Sequence, residues 1–180
     1  MSTAPPPATL PAPLRSALRE GFVVRTLHTG RRTGAPRMVE TTYAWDGGEH
    51  LLLSGYPGTR DWVANLAERP SATVLVPTLQ GVYAIAVEAR VLRDRHERTP
   101  HLLRFVGRWA LRMGPRGWGM AAAVGMLRIH NTLRLPWWGP YALAVRVLDR
   151  MPCVELTFIG RPRRLDGDDA DAQQRAPTAR

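Results

Sequence analysis

Between Val23 and Val91 the chain alternates short β-branched or aliphatic runs with turn signals, and this spacing most narrows what it can fold into. Residues 22–29 place Val23, Arg25 and Leu27 on one face and Val24, Thr26 and His28 on the other, the two-residue period of a half-buried strand. After a loop with two Gly and one Pro, residues 38–45 form a second run; Asp46-Gly47-Gly48 is a hairpin turn signal, and residues 51–56 form a third. Residues 71–76 and 82–91 follow, divided by Gly81, with Pro77 marking an edge or a strand end. Residues 154–159 supply a sixth strand. Short links between successive strands favour antiparallel neighbours. The expected fold is therefore mainly β within the α+β class, a six-stranded antiparallel β-barrel with attached helices.

Thr59 or Asp61 can cap a two-turn helix that carries Trp62, Val63, Leu66 and Ala67 inward and ends before Pro70. Residues 93–150 read as a helical insert. Leu102, Phe105, Val106, Trp109, Ala110 and Met113 keep helical spacing there, while Arg104, Arg108, Arg112 and Arg116 recur every four residues on a separate stripe. Such a stripe suits peripheral contact with an anionic membrane surface, or plain solvation of a helix face. Residues 120–127 read as a second, mostly buried helix. The Pro/Ala-rich residues 1–20 are expected to be a flexible N-terminal arm in which 14–20 can turn helical before Gly21. Residues 21–160 are expected to be a single barrel domain, and the polar residues 161–180 a disordered tail.

Composition removes several chemistries. Formal charge is +10, which favours an anionic partner, but all 25 basic residues are Arg, so any single Arg carries less information. The lack of Lys excludes Schiff-base and P-loop lysine chemistry. One cysteine, Cys153, excludes an intrachain disulfide and Cys-based zinc motifs. The five histidines have no ligand-like spacing, so no metal site is expected, and Ser54 lacks a nucleophile-elbow setting. Strands without interleaved aromatics argue against a specific nucleic-acid partner. No run approaches the roughly 18 apolar residues of a membrane span, and no leader is visible, so a cytoplasmic protein is expected.

Two stretches favour an anion. Gly30-Arg31-Arg32-Thr33-Gly34 offers two guanidinium groups, a hydroxyl and glycines that let backbone come close, although a solvated basic loop is the plainer alternative. The stretch 55–60 ends in Arg60 at a helix start, a second site by the dipole argument. Both could converge at one end of a barrel.

These stretches also carry a resemblance. TGRRTGAPR, then a strand pair, then SGYPGTRDWVANLAERPSATV, resembles the deazaflavin-dependent nitroreductase and quinone reductase family of the flavin-binding split-barrel superfamily, over residues 23–76. The resemblance implies a split β-barrel that binds the 8-hydroxy-5-deazaflavin coenzyme F420, with FMN as the alternative. It places the phosphate-bearing tail on Arg31, Arg32, Thr33, Arg37 and Arg60 and the ring near Ser54, Gly55 and Tyr56. Val63-Ala64 departs from the family, where Tyr-His frequently follows the Trp. The expected activity is hydride transfer to a small-molecule electron acceptor such as a quinone or nitroaromatic. Tyr43, Trp137 and Trp138 would hold the acceptor, and Tyr141 would donate a proton or hydrogen bond. A different class, a coenzyme- or haem-holding barrel without turnover or a basic docking module, fits the same charge.

Overall fold

The computed structural model describes residues 10–136 and 139–165. Helix α1 (Ala12–Glu20) precedes β1 (Val23–Thr29), β2 (Pro36–Trp45) and β3 (His50–Ser54); α2 (Asp61–Glu68) then leads to β4 (Ser71–Thr78) and β5 (Gly81–Val91). Helices α3 (Arg95–Arg112), α4 (Trp118–Thr132) and α5 (Pro140–Arg150) form the insert, with a 3-10 turn at Gly114–Gly117, before β6 (Val154–Phe158) and β7 (Arg163–Leu165).

All strand pairs are antiparallel: β1 pairs with β2 and β4, β3 with β2 and β6, and β5 with β4 and β6. These six pairings close a ring, so the barrel has no unpaired seam. Its interior follows from the alternation in the strands: Val24, Leu51, Leu53, Val74, Ile85, Val87, Val154 and Leu156 pack together inside. Leu52, between two inward leucines, faces the other way and lies in a second core with Leu102, Leu103, Phe105 and Leu148 of the insert. The triple-leucine run therefore marks a strand covered on both faces.

Two expectations about the chain ends change. Residues 12–20 are not a loose arm: Leu14 and Leu18, one turn apart, are both 0% exposed in the barrel core. A seventh strand lies within the stretch expected to be a disordered tail. Long β5 pairs with β6 only from Val87 to Val91, and the free edge at Val82–Ala84 pairs with β7. Its Arg-Arg-Leu sequence has no strand signature of its own; the vacant edge of β5 supplies the reason for it.

The arginine stripe is also corrected. Arg104 donates to the Trp45 carbonyl at 3.2 Å, and Arg108 donates to the carbonyls of Arg19 at 2.9 Å and Gly21 at 2.6 Å. Arg112 donates to the Glu20 carbonyl. The stripe is thus more than a solvated face: Arg104 and Arg112 are exposed, yet Arg108 and Arg112 reach the carbonyl end of α1, where a helix leaves acceptors unsatisfied and carries partial negative charge. Tyr43 completes the cap by donating its hydroxyl to Leu18 O at 2.9 Å, with the Arg108 guanidinium 5.2 Å from its ring centre. At Gly21 an added Cβ would stand 2.5 Å from Ala17 O and 2.6 Å from the Tyr43 hydroxyl, so only glycine fits. Arg116 alone of the four stands in the 3-10 turn, exposed.

Helix α4 was expected to be mostly buried. Only Val124 and His130 are buried on it, because it covers α3 on one side and nothing among the described residues covers the other. No helix among the described residues is long and apolar enough to cross a membrane.

Leu18→Ala is expected to lower the unfolding free energy by about 2–5 kcal/mol. Leu79→Ala, at a fully exposed side chain, is expected to change it by less than about 0.5 kcal/mol. Urea denaturation followed by tryptophan fluorescence measures both.

Candidate functional site

Strands β1 and β2 stay paired down to Thr29 and Pro36, so residues 30–35 must reverse the chain tightly. Gly30 N donates to Ala35 O at 2.8 Å, Gly34 N to Gly30 O at 2.9 Å, and Ala35 N to Thr33 Oγ1 at 3.3 Å. Gly34 has φ +70°, a left-handed conformation that favours glycine. The Arg69 guanidinium stands 3.6 Å from where its Cβ would be. The loop is therefore a folded basic turn whose hydroxyl braces it from within.

This turn docks on α2. Both terminal nitrogens of Arg31 donate to Asp61 Oδ1 at 3.1 Å, and Nη1 also donates to Asn65 Oδ1 at 3.1 Å. The Arg31 backbone N–H donates to the same Asn65 oxygen at 3.2 Å. Asn65 Nδ2 then donates to His28 Nε2 at 3.1 Å, and His28 Nδ1 donates to Thr26 O at 3.4 Å. One amide thus orders a loop, a helix and a strand. The direction of these bonds makes Nε2 of His28 an acceptor, so the imidazole is neutral with its proton on Nδ1. Burial holds its pKa below the ordinary value; Arg37 pushes the same way and the Thr26 carbonyl opposes.

The two anion-favouring stretches do converge, with one change of role. Arg31 is engaged by Asp61, whereas Arg32, Arg37 and Arg60 have no carboxylate partner among the described residues. Arg32 and Arg60 are exposed, and Arg37 is half-buried at the start of β2. Helix α2 begins at Arg60 without a side-chain cap, leaving first-turn N–H groups available beside these cations. The intervening turn is tied down by Gly58 N donating to Arg150 O at 2.8 Å, with Gly55 half-buried and Tyr56 74% exposed.

Other expected residues lie elsewhere. Ser54 is buried and its Oγ donates to Pro152 O at 2.7 Å, so its hydroxyl is not offered to a ring. Tyr43 is 1% exposed in the α1 cap and cannot stack on an acceptor. Tyr141 stacks on His130 with ring centres 4.4 Å apart, in the first turn of α5. From there to Arg150, where α5 meets the 55–60 turn, the helix rises about 13 Å. Trp137 and Trp138 lie outside the described residues. Two clefts do not include the basic end: one of about 710 Å³, beside β5, is lined by Pro70, Glu88, Arg90 and Arg93, and another of about 190 Å³, between β3 and α3, by His50, His101 and Arg104.

Sequence reading missed the hub formed by His28, Asn65 and Asp61. A signal existed for His28, since alternation put it on the face of Val24 and Thr26, which is the interior. Nothing local announced that Asp61 would meet Arg31. Cys153 is buried, and burial pushes its thiol up to about 12, which removes it as a nucleophile. Among the described residues no cluster of His, Cys, Asp or Glu could hold a metal ion.

With six strands closed into a ring and helices on its outer face and at its end, the architecture can be compared with solved structures. The fold is a split barrel. A protein assigned to 5-nitroimidazole antibiotic resistance in Bacteroides thetaiotaomicron VPI-5482 is similar over 83% of this chain and 80% of its own, at 8% identity and a TM-score of 0.52. HupZ of Group A Streptococcus is similar over 88% of this chain and 96% of its own, at 9% identity and a TM-score of 0.50. A conserved hypothetical protein of Mycobacterium tuberculosis is similar over 91% and 90%, at 14% identity and a TM-score of 0.50. At such identities the likeness is one of fold. No family model matches the split-barrel sequence, and no curated protein sequence matches it either.

Asn65→Ala is expected to cost about 1–3 kcal/mol of stability, because it leaves polar partners of Arg31 and His28 unpaired. The His28 contribution is expected to be present above pH 6.5, the ordinary histidine value, and to be lost as pH falls from there through its lower folded value. In that window the unfolded chain binds a proton that the folded one does not. His28→Gln should flatten this part of the pH profile in urea titrations. Cys153 should react with a thiol reagent only after unfolding.

Proposed function

We propose that the chain is a reductase that holds a deazaflavin coenzyme of the F420 type at the basic barrel end and delivers hydride to a small electrophile such as a quinone or nitroaromatic. One observation carries the reading: Arg32, Arg37 and Arg60, without carboxylate partners among the described residues, are gathered beside the uncapped start of α2 by the bonds of Arg31, Asp61 and Asn65. That donor set suits a phosphate-bearing tail, since guanidinium groups and helix N–H groups both favour an anion. The split-barrel fold supports the reading, as does the fold likeness to a protein assigned to resistance against a nitro compound.

The coenzyme would supply the hydride chemistry itself. The chain supplies position and charge. Arg32 and Arg60 reach the tail from the loop and the helix start. Arg31 acts one step back: with its charge met by Asp61, it fixes the loop on α2. Tyr56, exposed on the 55–60 turn, is the aromatic side chain placed to stack at this end, a role Tyr43 cannot take from the core. The neutral His28 braces Asn65 and donates no proton to the acceptor, because its one N–H is committed to Thr26 O.

Fluorescence titration with the oxidised deazaflavin coenzyme and with FMN, followed by turnover of the reduced coenzyme with a quinone acceptor, tests this. Arg32→Ala and Arg60→Ala are each expected to weaken coenzyme binding by about five- to tenfold without lowering stability, in keeping with about 1 kcal/mol for a charged hydrogen bond near solvent. Arg31→Ala is expected to lower stability as well. Binding of neither coenzyme sinks the proposal; tighter binding of FMN replaces the coenzyme; binding without turnover makes the chain a coenzyme-holding barrel.

A further inference from the structure

We propose that the outward face of α4 and α5 seats the protein on the surface of an anionic lipid bilayer, with the helices lying on it and not crossing it. Helix α4 carries Trp118, Met126 and Ile129, with Leu133 at its C-cap, at spacings of eight, three and four residues, so they line one side of the helix, opposite Val124, which packs on α3. On α5, Leu143 and Val147 repeat the pattern one turn apart. These six side chains are 45–67% exposed. The stack of His130 on Tyr141 brings the end of α4 to the beginning of α5, with exposed Leu133 and Leu135 between them in the chain. Grouped exposed apolar side chains of this size mark a contact surface.

Charge identifies the occupant. From Arg98 to Leu148 the sequence has eight arginines and no acidic residue. Five of these turn inward onto backbone carbonyls, namely Arg98, Arg104, Arg108, Arg112 and Arg128. The other three, Arg116, Arg134 and Arg146, stay exposed beside the apolar stripes. Apolar side chains bordered by cations alone complement lipid phosphates over acyl chains. A second copy is the poorer occupant. In a two-fold pairing through this face, arginines would meet arginines with no carboxylate to relieve them. The exposed side chains of this face are distinct from the residues proposed to hold the coenzyme, although the last residue of α5 meets the 55–60 turn.

Sedimentation with phosphatidylcholine vesicles, with and without phosphatidylglycerol, tests the idea on the full chain. Binding is expected only to the anionic vesicles and should weaken as salt rises from about 0.1 M to about 0.5 M. Met126→Glu combined with Ile129→Glu should lower vesicle binding by about tenfold or more, while coenzyme binding and the thermal unfolding midpoint stay unchanged. Should that variant fail to fold, Leu143→Glu with Val147→Glu reads the same face from α5. Absence of binding to anionic vesicles overturns the proposal, as does equal binding to neutral vesicles or binding that the folded variants retain. A wild-type dimer that these variants convert to monomer, without vesicle binding, assigns the face to a second copy instead.

Discussion

The carbonyl end of α1 is the point on which three parts of the molecule depend. A helix that ends at the mouth of a barrel brings unsatisfied acceptors and partial negative charge to a place with little water. Tyr43 from the barrel wall and Arg108 and Arg112 from the insert answer both needs at once. Burial holds the Tyr43 phenol above its ordinary pKa, with Arg108 and Arg112 opposing, so it stays a donor. Leu14 and Leu18 can then fill the barrel interior, and α3 can lie across β2 and β3. Without the guanidinium groups, the same burial would strand several carbonyls at a cost comparable to the apolar gain.

A similar economy shapes the basic end. Asn65 is buried yet bonds with groups from a strand and a loop while standing on a helix, its amide oxygen accepting from Arg31 and its amide nitrogen donating to His28. Asp61 removes one positive charge where the loop touches the helix, which lets the remaining arginines gather without mutual repulsion opening the turn. A single carboxylate thus sets Arg31 apart from Arg32, Arg37 and Arg60.

The barrel was legible because its strands are short β-branched or aliphatic runs and its turns carry Gly at the reversals; in β1 the alternation put Val24, Thr26 and His28 on one face, which is the buried one. The basic loop and the start of α2 were legible as local motifs, and the antiparallel order was enough to bring them to one end. The arginine stripe was seen but not its partners, since four-residue spacing reports a helix face and not what that face meets; those of Arg108 lie about ninety residues earlier in the chain. Strand β7 was invisible for a related reason: three residues have no period, and pairing was decided by the length of β5. Tyr43 shows the limit of residue type as a guide. A tyrosine on a strand suits a ligand or a cap equally, and only the arrival of α1 decides.

The cap on α1 also imposes an order of events. Its carbonyls belong to residues 18–21 and its guanidinium donors to residues 108 and 112, so closure must wait until most of the insert exists. During synthesis the first helix therefore leaves the ribosome long before its partners, with two leucines and several acceptors uncovered. Contacts of such sequence separation form late, after the local hairpins, because chain entropy is spent before the contact is made. The barrel mouth is thus the last part of the molecule to be sealed and, on unfolding, a natural place for it to open first.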